Sequence, residues 1–89
     1  MEKPITVGMV VFSRAGRDKG RFFMVKEIID DNFVSIVDGE VRKLDKPKLK
    51  KIKHLKKTDD VLENIAAKLI KGTKVFDAEV FSALRKYNS

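Results

Sequence analysis

The fold is decided by the stretch VGMVVFSRAGRDKGRFFMVKEII, which spans residues 7–29. Two runs of β-forming residues, 7–12 and 21–29, flank a polar segment that contains Gly16 and Gly20. Glycine and small polar residues between two apolar runs are typical of a turn that joins neighbouring strands. The stretch therefore predicts two strands with an exposed loop between them.

Three further strands are predicted downstream, at residues 33–37, 41–44 and about 51–56. Aspartate, asparagine, glycine and proline separate these runs, and such residues favour turns or interrupt strands. Five short strands with turn residues between them indicate a small barrel, closed or partly open, better than they indicate a sandwich.

Beyond residue 57 the apolar residues change from strand spacing to helix spacing. Helix N-caps are expected at Thr58-Asp59-Asp60 and at Asp77, and Gly72 is expected to end the first helix. The apolar stripe of the first helix comprises Val61, Leu62, Ile65, Leu69 and Ile70, and that of the second, shorter helix comprises Val80, Phe81, Leu84 and Tyr87, with Phe76 at its entry.

The predicted fold class is therefore mainly β with an α extension. Residues 1–57 are expected to form a five-stranded barrel, and residues 58–89 are expected to form two short helices packed on it. We expect one compact domain, since 89 residues suffice for a single core without metals or disulfides.

Composition argues against most catalytic chemistry. The chain has no cysteine and one histidine, which excludes disulfides and thiol nucleophiles. The loop between Gly16 and Gly20 lacks the length and the Gly-Lys-Ser/Thr ending of a P-loop. We expect no enzyme activity, no catalytic residues, no metal site and no cofactor.

The chain also lacks the marks of export. Its N-terminal segment has neither the charged nor the apolar region of a signal peptide, and no apolar run approaches the length of a membrane span. A soluble cytoplasmic protein with no membrane partner is therefore expected.

Positive charge is concentrated in two segments. The formal net charge is +7, yet residues 42–57 hold nine Lys/Arg against Asp45 alone, and residues 14–26 hold five against Asp18. Residues 27–41 carry five acids and no base. Basic residues at this density attract a polyanion, of which nucleic acid is the commonest in a cytosol. The alternative is that the lysines only solvate one face.

The segment from about residue 6 to residue 32 resembles a KOW motif, with alternating apolar and polar residues, a glycine-containing turn and a second apolar strand. Gly16-Arg17-Asp18-Lys19-Gly20 is the core of the resemblance, and residues 31–39, 42–43 and 52–55 extend it. As far as residue 57, the chain is similar to bacterial KOW-domain proteins related to the large-subunit ribosomal proteins fourteen-e, six-e and twenty-seven-e.

The resemblance implies an SH3-like barrel and a cytoplasmic RNA-binding protein, either ribosomal or ribosome-associated. The expected partners are RNA, in particular large-subunit ribosomal RNA, and ribosomal proteins, and the chain is expected to be a monomer when free. Residues 58–89 lie outside the resemblance.

RNA contact is expected from the loop of the KOW motif and from the lysine-rich segment, through phosphates and RNA shape. Arg17 is the strongest single candidate, because its planar guanidinium can bind a phosphate or a guanine edge with two hydrogen bonds. Strand alternation divides the lysines between two faces, so about half should contact RNA. The full set of candidates is Arg14, Gly16, Arg17, Lys19, Gly20, Arg21, Arg42, Lys43, Lys48, Lys50, Lys51, Lys53 and His54.

Several of these assignments have structural alternatives. Gly16 and Gly20 either approach the RNA backbone or only shape the turn. His54 either contacts RNA or makes a structural hydrogen bond. The phenylalanines fit a core, although the adjacent Phe22 and Phe23 must point to opposite faces, which makes one of them a candidate for base stacking.

A protein-interaction adaptor of the transcription or translation machinery is the alternative function. Its docking surface would be the acidic segment 27–41 or the helices. The two hypotheses differ in one geometric requirement: RNA binding needs both basic segments on one face.

Overall fold

Five antiparallel strands and two C-terminal helices make up the fold in a computed structural model, which describes residues 4–89. This confirms the predicted fold class. Residues 1–3, at the start of the segment inspected for a signal peptide, lie outside the described residues. The elements are β1 (Met9–Ser13), β2 (Phe22–Ile28), β3 (Phe33–Val37), β4 (Lys48–Lys51), a 3-10 turn (Ile52–His54), β5 (Leu55–Val61), α1 (Glu63–Lys71) and α2 (Asp77–Asn88).

The strands form one sheet in the order β4-β3-β2-β1-β5. Over the described residues the sheet is not closed, because β4 and β5 are its two edges. One of its faces buries Met9, Val11, Phe23, Ile36 and Leu55, and no helix contributes to that cluster. Apolar side chains can leave water without a second layer only if the sheet curves around them, so this face is the interior of a small barrel-like fold.

The two helices cover the other face of the sheet. Val10, Met24 and Val37 alternate with the interior residues along their strands and meet Val80 and Leu84 of α2. Each such side chain contributes about 1.5–3 kcal/mol when it is removed from water. Two residues assigned to the apolar stripes are exposed instead, Ile70 at 76% and Phe81 at 39%.

The predictions for the fourth and fifth strands were wrong in position. Residues 41–44 form a turn, because the buried carboxylate of Asp38 accepts the backbone N–H groups of Glu40 and Arg42 and thereby closes the chain on itself. The fourth strand begins after Pro47. The final strand was expected at about 51–56, but a 3-10 turn occupies part of that range and β5 runs to Val61.

The predicted N-caps were also wrong. Thr58 lies in β5, where its hydroxyl donates to the Val10 carbonyl at 2.6 Å beside a shift in the β1–β5 register. The sheet therefore extends beyond the predicted boundary at residue 57, and α1 begins at Glu63. Asp77 is the first residue of α2, and its carboxylate accepts the Leu44 N–H at 2.7 Å instead of capping the helix.

The ends of the helices are fixed by other groups. Gly72 ends α1 in the left-handed conformation, as predicted, with φ 76°. The Glu79 carboxylate accepts the N–H of Phe76 at 3.0 Å at the start of α2. No helix within residues 4–89 is both long enough and apolar enough to cross a membrane.

Candidate nucleic-acid interface

The β1–β2 loop presents the core of the basic sequence motif. It is closed by the Ser13 N–H, which donates to the Arg21 carbonyl at 2.9 Å, and by the Gly20 N–H, which donates to the Ser13 carbonyl at 2.9 Å. Gly16 and Gly20 have φ values of 79° and 88°, which suit residues without a Cβ. The chain therefore turns tightly between these two glycines.

Arg17 and Lys19 lie at the tip of this loop. Both are exposed, and their side chains form no hydrogen bond or ion pair with residues 4–89. Asp18, between them, is 5% exposed and turns inward. The two cations of the loop are thus exposed to solvent, whereas its one acidic side chain is buried.

The lysine-rich segment touches this loop at two points. The Arg14 N–H donates to the His54 carbonyl at 2.9 Å, and its guanidinium donates to the Lys53 carbonyl at 3.1 Å. The Lys50 ammonium donates to the Ala15 carbonyl at 2.7 Å. The two basic segments, distant in sequence, are therefore neighbours on one side of the fold.

A third contact comes from the turn before β4. The Nε and Nη2 groups of Arg42 donate hydrogen bonds to Oδ1 and Oδ2 of Asp18, respectively, each at 3.2 Å. The loop is held by β4, by the 3-10 turn and by this ion pair. Such a loop needs little ordering when a ligand binds, which lowers the entropic cost of binding.

Besides Arg14, three of the basic candidates bind partners within the fold. Arg42 pairs with Asp18, Lys50 is 7% exposed against Ala15, and Arg21 donates to the buried Asp38 carboxylate at 3.3 Å. We therefore leave Arg42 and Lys50 out of the surface considered below. Arg21 also binds Asp38, but its side chain is 39% exposed, so its contact with RNA stays a prediction. Charge alone could not separate these three residues from their exposed neighbours, because the acids that bind two of them are remote in sequence.

Apart from the turn residues Gly16 and Gly20, the other candidates fall into two groups. Lys43 and Lys48 are exposed outside the loop and the groove described below, and His54 is half-buried, with its carbonyl bonded to Arg14. Five cations lie on the loop or on the adjoining segment, and we call them the basic surface: Arg14, Arg17, Lys19, Lys51 and Lys53.

A groove of about 680 Å³ opens beside the basic surface. Three elements build it: the end of β1, the β2–β3 turn, and the segment through the 3-10 turn into β5. Its lining combines basic, apolar and polar side chains, namely Arg14, Asp31, Asn32, Phe33, Lys51, Ile52, Lys53, Leu55 and Lys57. Asp31, Asn32 and Phe33 were not among the candidates. Asp31 and Asn32 lie in a predicted turn, which indicates exposure, whereas Phe33 begins the third predicted strand and was expected to fit a core.

The aromatic side chains are mostly used in packing. Phe23 is fully buried. Phe22 points to the opposite face, but α2 covers it: its ring centroid lies 4.9 Å from that of Phe12 and 5.5 Å from that of Tyr87. Phe33, half-buried in the groove, is the aromatic ring that borders the basic surface.

Two pKa shifts involve residues of the helices. A hydrogen bond to Asp60 at 2.6 Å, with some burial, raises the pKa of Tyr87 to about 12. The Lys68 ammonium, 2.6 Å from Glu79, lowers the pKa of that carboxyl. These pairs tie α2 to β5 and to α1, and none of the four residues belongs to the basic surface or lines the groove.

No protein-family model matches the sequence. Within residues 4–89, no three His, Asp or Glu side chains come together in a group that could hold a metal ion. The functional argument therefore rests on the geometry and charge of the basic surface.

Proposed function

We propose that this protein binds RNA without catalysing a reaction, and that its ligand is large-subunit ribosomal RNA in the cytoplasm. The observation that carries the proposal is the contact between the two basic segments, through Arg14 to the carbonyls of Lys53 and His54. That contact brings the two basic segments together, which supports RNA binding over the adaptor hypothesis.

Phosphate neutralisation supplies the affinity in this proposal. Arg17 and Lys19 project from a fixed loop, while Lys51 and Lys53 lie along the groove next to it. Each cation that meets a phosphate releases counterions, so binding weakens as salt rises. Lysine makes up much of the surface, which favours recognition of backbone and shape over base edges.

The ribosomal assignment rests on the resemblance of residues 6–57 to KOW-domain proteins, and the fold is compatible with it. A barrel-like sheet that presents a Gly-Arg-Asp-Lys-Gly loop beside a basic strand is what that resemblance implies. In this proposal the helices stabilise the outer face of the sheet and leave the loop side open.

Sedimentation of native lysate tests the proposal. We expect the protein to sediment with the large ribosomal subunit on a sucrose gradient at low salt and to crosslink to ribosomal RNA from Arg17, Lys19 or the groove lysines. Release at high salt would mark it as a peripheral factor. A protein that stays at the top of the gradient without RNA crosslinks would contradict the proposal and favour the adaptor hypothesis.

A further inference from the structure

The groove beside the basic surface has a composition that phosphate binding alone does not require. Phe33, Ile52 and Leu55 give it an apolar part, whereas Arg14 and Lys53 give it a cationic part. Its volume of about 680 Å³ falls within the roughly 300–1,000 Å³ that is usual for small-ligand sites. A groove with an apolar part and a cationic part fits a ligand that is flat and apolar at one end and anionic at the other.

The groove is also preformed. The Asp30 carboxylate accepts the N–H groups of Asn32 at 2.8 Å and of Phe33 at 2.9 Å, which fixes the β2–β3 turn. The Ile52 N–H donates to the Asn32 carbonyl at 2.8 Å and joins that turn to the 3-10 turn. The aromatic ring is therefore held by a rigid backbone next to the cations.

The charged and polar side chains of the groove are unevenly placed. Asp31 and Asn32 come from the β2–β3 turn, while Arg14, Lys53 and Lys57 come from the other two elements. A carboxylate repels a phosphate but accepts hydrogen bonds from the N–H groups of a base. A nucleotide would be oriented with its phosphate towards the cations and its base towards Asp31.

We propose that this groove holds one unpaired nucleotide of the bound RNA, with the base stacked on Phe33 and the adjoining phosphates on Arg14, Lys51 and Lys53. The inference rests on the proposed function, because it names the part of the RNA that the basic surface engages. Unpaired bases in loops and bulges expose a face that an aromatic ring can stack on, whereas bases within a helix do not.

The test compares single-stranded with duplex RNA of the same sequence at one fixed salt concentration. Phe33→Leu keeps an apolar side chain in the groove and removes the aromatic face. We expect it to weaken single-stranded binding by roughly 5- to 50-fold, since base–aromatic stacking accounts for an effect of that order, and to leave duplex binding within about twofold. Phe33→Tyr, which retains a ring, should bind like the wild type.

Phe81→Leu is the matched control, because Phe81 is an exposed phenylalanine of α2 outside the groove. It should bind both RNAs like the wild type. A 2-aminopurine base in the single strand adds a direct readout, since stacking on Phe33 should quench its fluorescence in the wild type and not in Phe33→Leu. Thermal unfolding of each variant identifies any loss of binding that comes from misfolding.

The outcomes separate the two proposals. The nucleotide site is overturned, and RNA binding is left intact, if the wild type binds RNA and Phe33→Leu loses no affinity. The same holds if Phe33→Leu loses equal affinity for single-stranded and duplex RNA. If Phe33→Leu does not fold, failure of Phe33→Tyr to bind or to quench overturns the site equally. Absence of wild-type binding to either RNA overturns the proposed function itself.

Discussion

The guanidinium of Arg42 binds the carboxylate of Asp18 with two hydrogen bonds of 3.2 Å each. The Asp18 side chain is 6% exposed and that of Arg42 is 26% exposed, so the pair is largely shielded from water. Asp18 lies at the centre of the loop that presents Arg17 and Lys19. The acid between the two cations thus anchors the loop, while the cations remain exposed.

Loss of this anchor should destabilise the fold. Arg42→Ala leaves a buried carboxylate without its ion-pair partner, and we expect the free energy of unfolding in urea to fall by about 1–3 kcal/mol. Lys43→Ala, which removes the neighbouring exposed cation, should change it by less than about 0.5 kcal/mol. Equal effects of the two substitutions would show that the Arg42–Asp18 pair contributes nothing to stability.

Lys50 and Lys51 are adjacent lysines with different expected roles. Lys50→Met removes the ammonium that binds the Ala15 carbonyl, so stability should fall by about 1–2 kcal/mol while the salt dependence of RNA binding stays unchanged. Lys51→Met should do the reverse. It should reduce the slope of log K against log salt by about 0.7–0.9 and leave stability unchanged.

Salt titrations of both variants, together with urea unfolding, check this assignment. A reduced salt slope in Lys50→Met would place its ammonium on RNA phosphate, contrary to its buried position against Ala15.

Gly39, in the turn after β3, lies close to the backbone of α2. A Cβ at this position would lie 2.8 Å from the backbone nitrogen of Phe81 and would also overlap the Asp77 carbonyl, and φ is +78°. Gly39→Ala should therefore cost more than the roughly 1–2 kcal/mol of a left-handed alanine alone, because α2 must also shift.

Gly20→Ala measures the cost of the left-handed backbone conformation alone, without a clash. Gly20 has φ +88°, and apart from Gly20 itself and its two chain neighbours no atom of the described residues lies within 4 Å of an added Cβ. Thermal unfolding should give a clearly larger loss for Gly39→Ala than for Gly20→Ala. Similar losses would contradict the close approach of α2 to the turn.

Tyr87 provides a spectroscopic test of the contact between α2 and β5. The chain has one tyrosine and no tryptophan, so absorbance at alkaline pH reports this phenol alone. The native protein should titrate with a pKa of about 12, because the hydrogen bond to Asp60 favours the protonated phenol. Asp60→Asn should lower the midpoint towards the ordinary value of 10.0.

The raised pKa of Tyr87 also determines how the free energy of unfolding changes with pH. Since the folded-state pKa is raised, the contact contributes fully below pH 10 and is lost as pH rises from 10 towards 12. The stability difference between wild type and Tyr87→Phe should therefore shrink over that interval. A native midpoint near 10 would contradict the hydrogen bond.

Much of the sheet was predictable because runs of β-forming residues, bounded by turn residues, mark its strands in the sequence. β3 matches the predicted range 33–37, and β1 and β2 match theirs within a few residues. The region from Asp38 to Val61 was not predictable in detail. There the buried carboxylate of Asp38 organises a turn, and Thr58 bonds across to β1.

The candidate site was predictable in location but not in detail. The loop with Arg17 and Lys19 follows directly from a glycine-rich polar segment between strands. The internal roles of Arg42 and Lys50 depend on Asp18 and on the Ala15 carbonyl, which only folding brings near them. The groove at Phe33 depends on three separate elements, so no local sequence pattern could indicate it.

The most direct test of the central claim measures RNA affinity after the loop cations are removed. Arg17→Ala combined with Lys19→Ala should weaken binding to ribosomal RNA at least tenfold, lower the salt slope by about 1.4–1.8, and leave the unfolding temperature nearly unchanged. Lys71→Ala combined with Arg85→Ala removes the same charge from exposed residues of the helices and should have little effect on binding. Equal losses in the two double variants, or unchanged binding with reduced stability in the loop variant, would contradict an RNA interface at the β1–β2 loop.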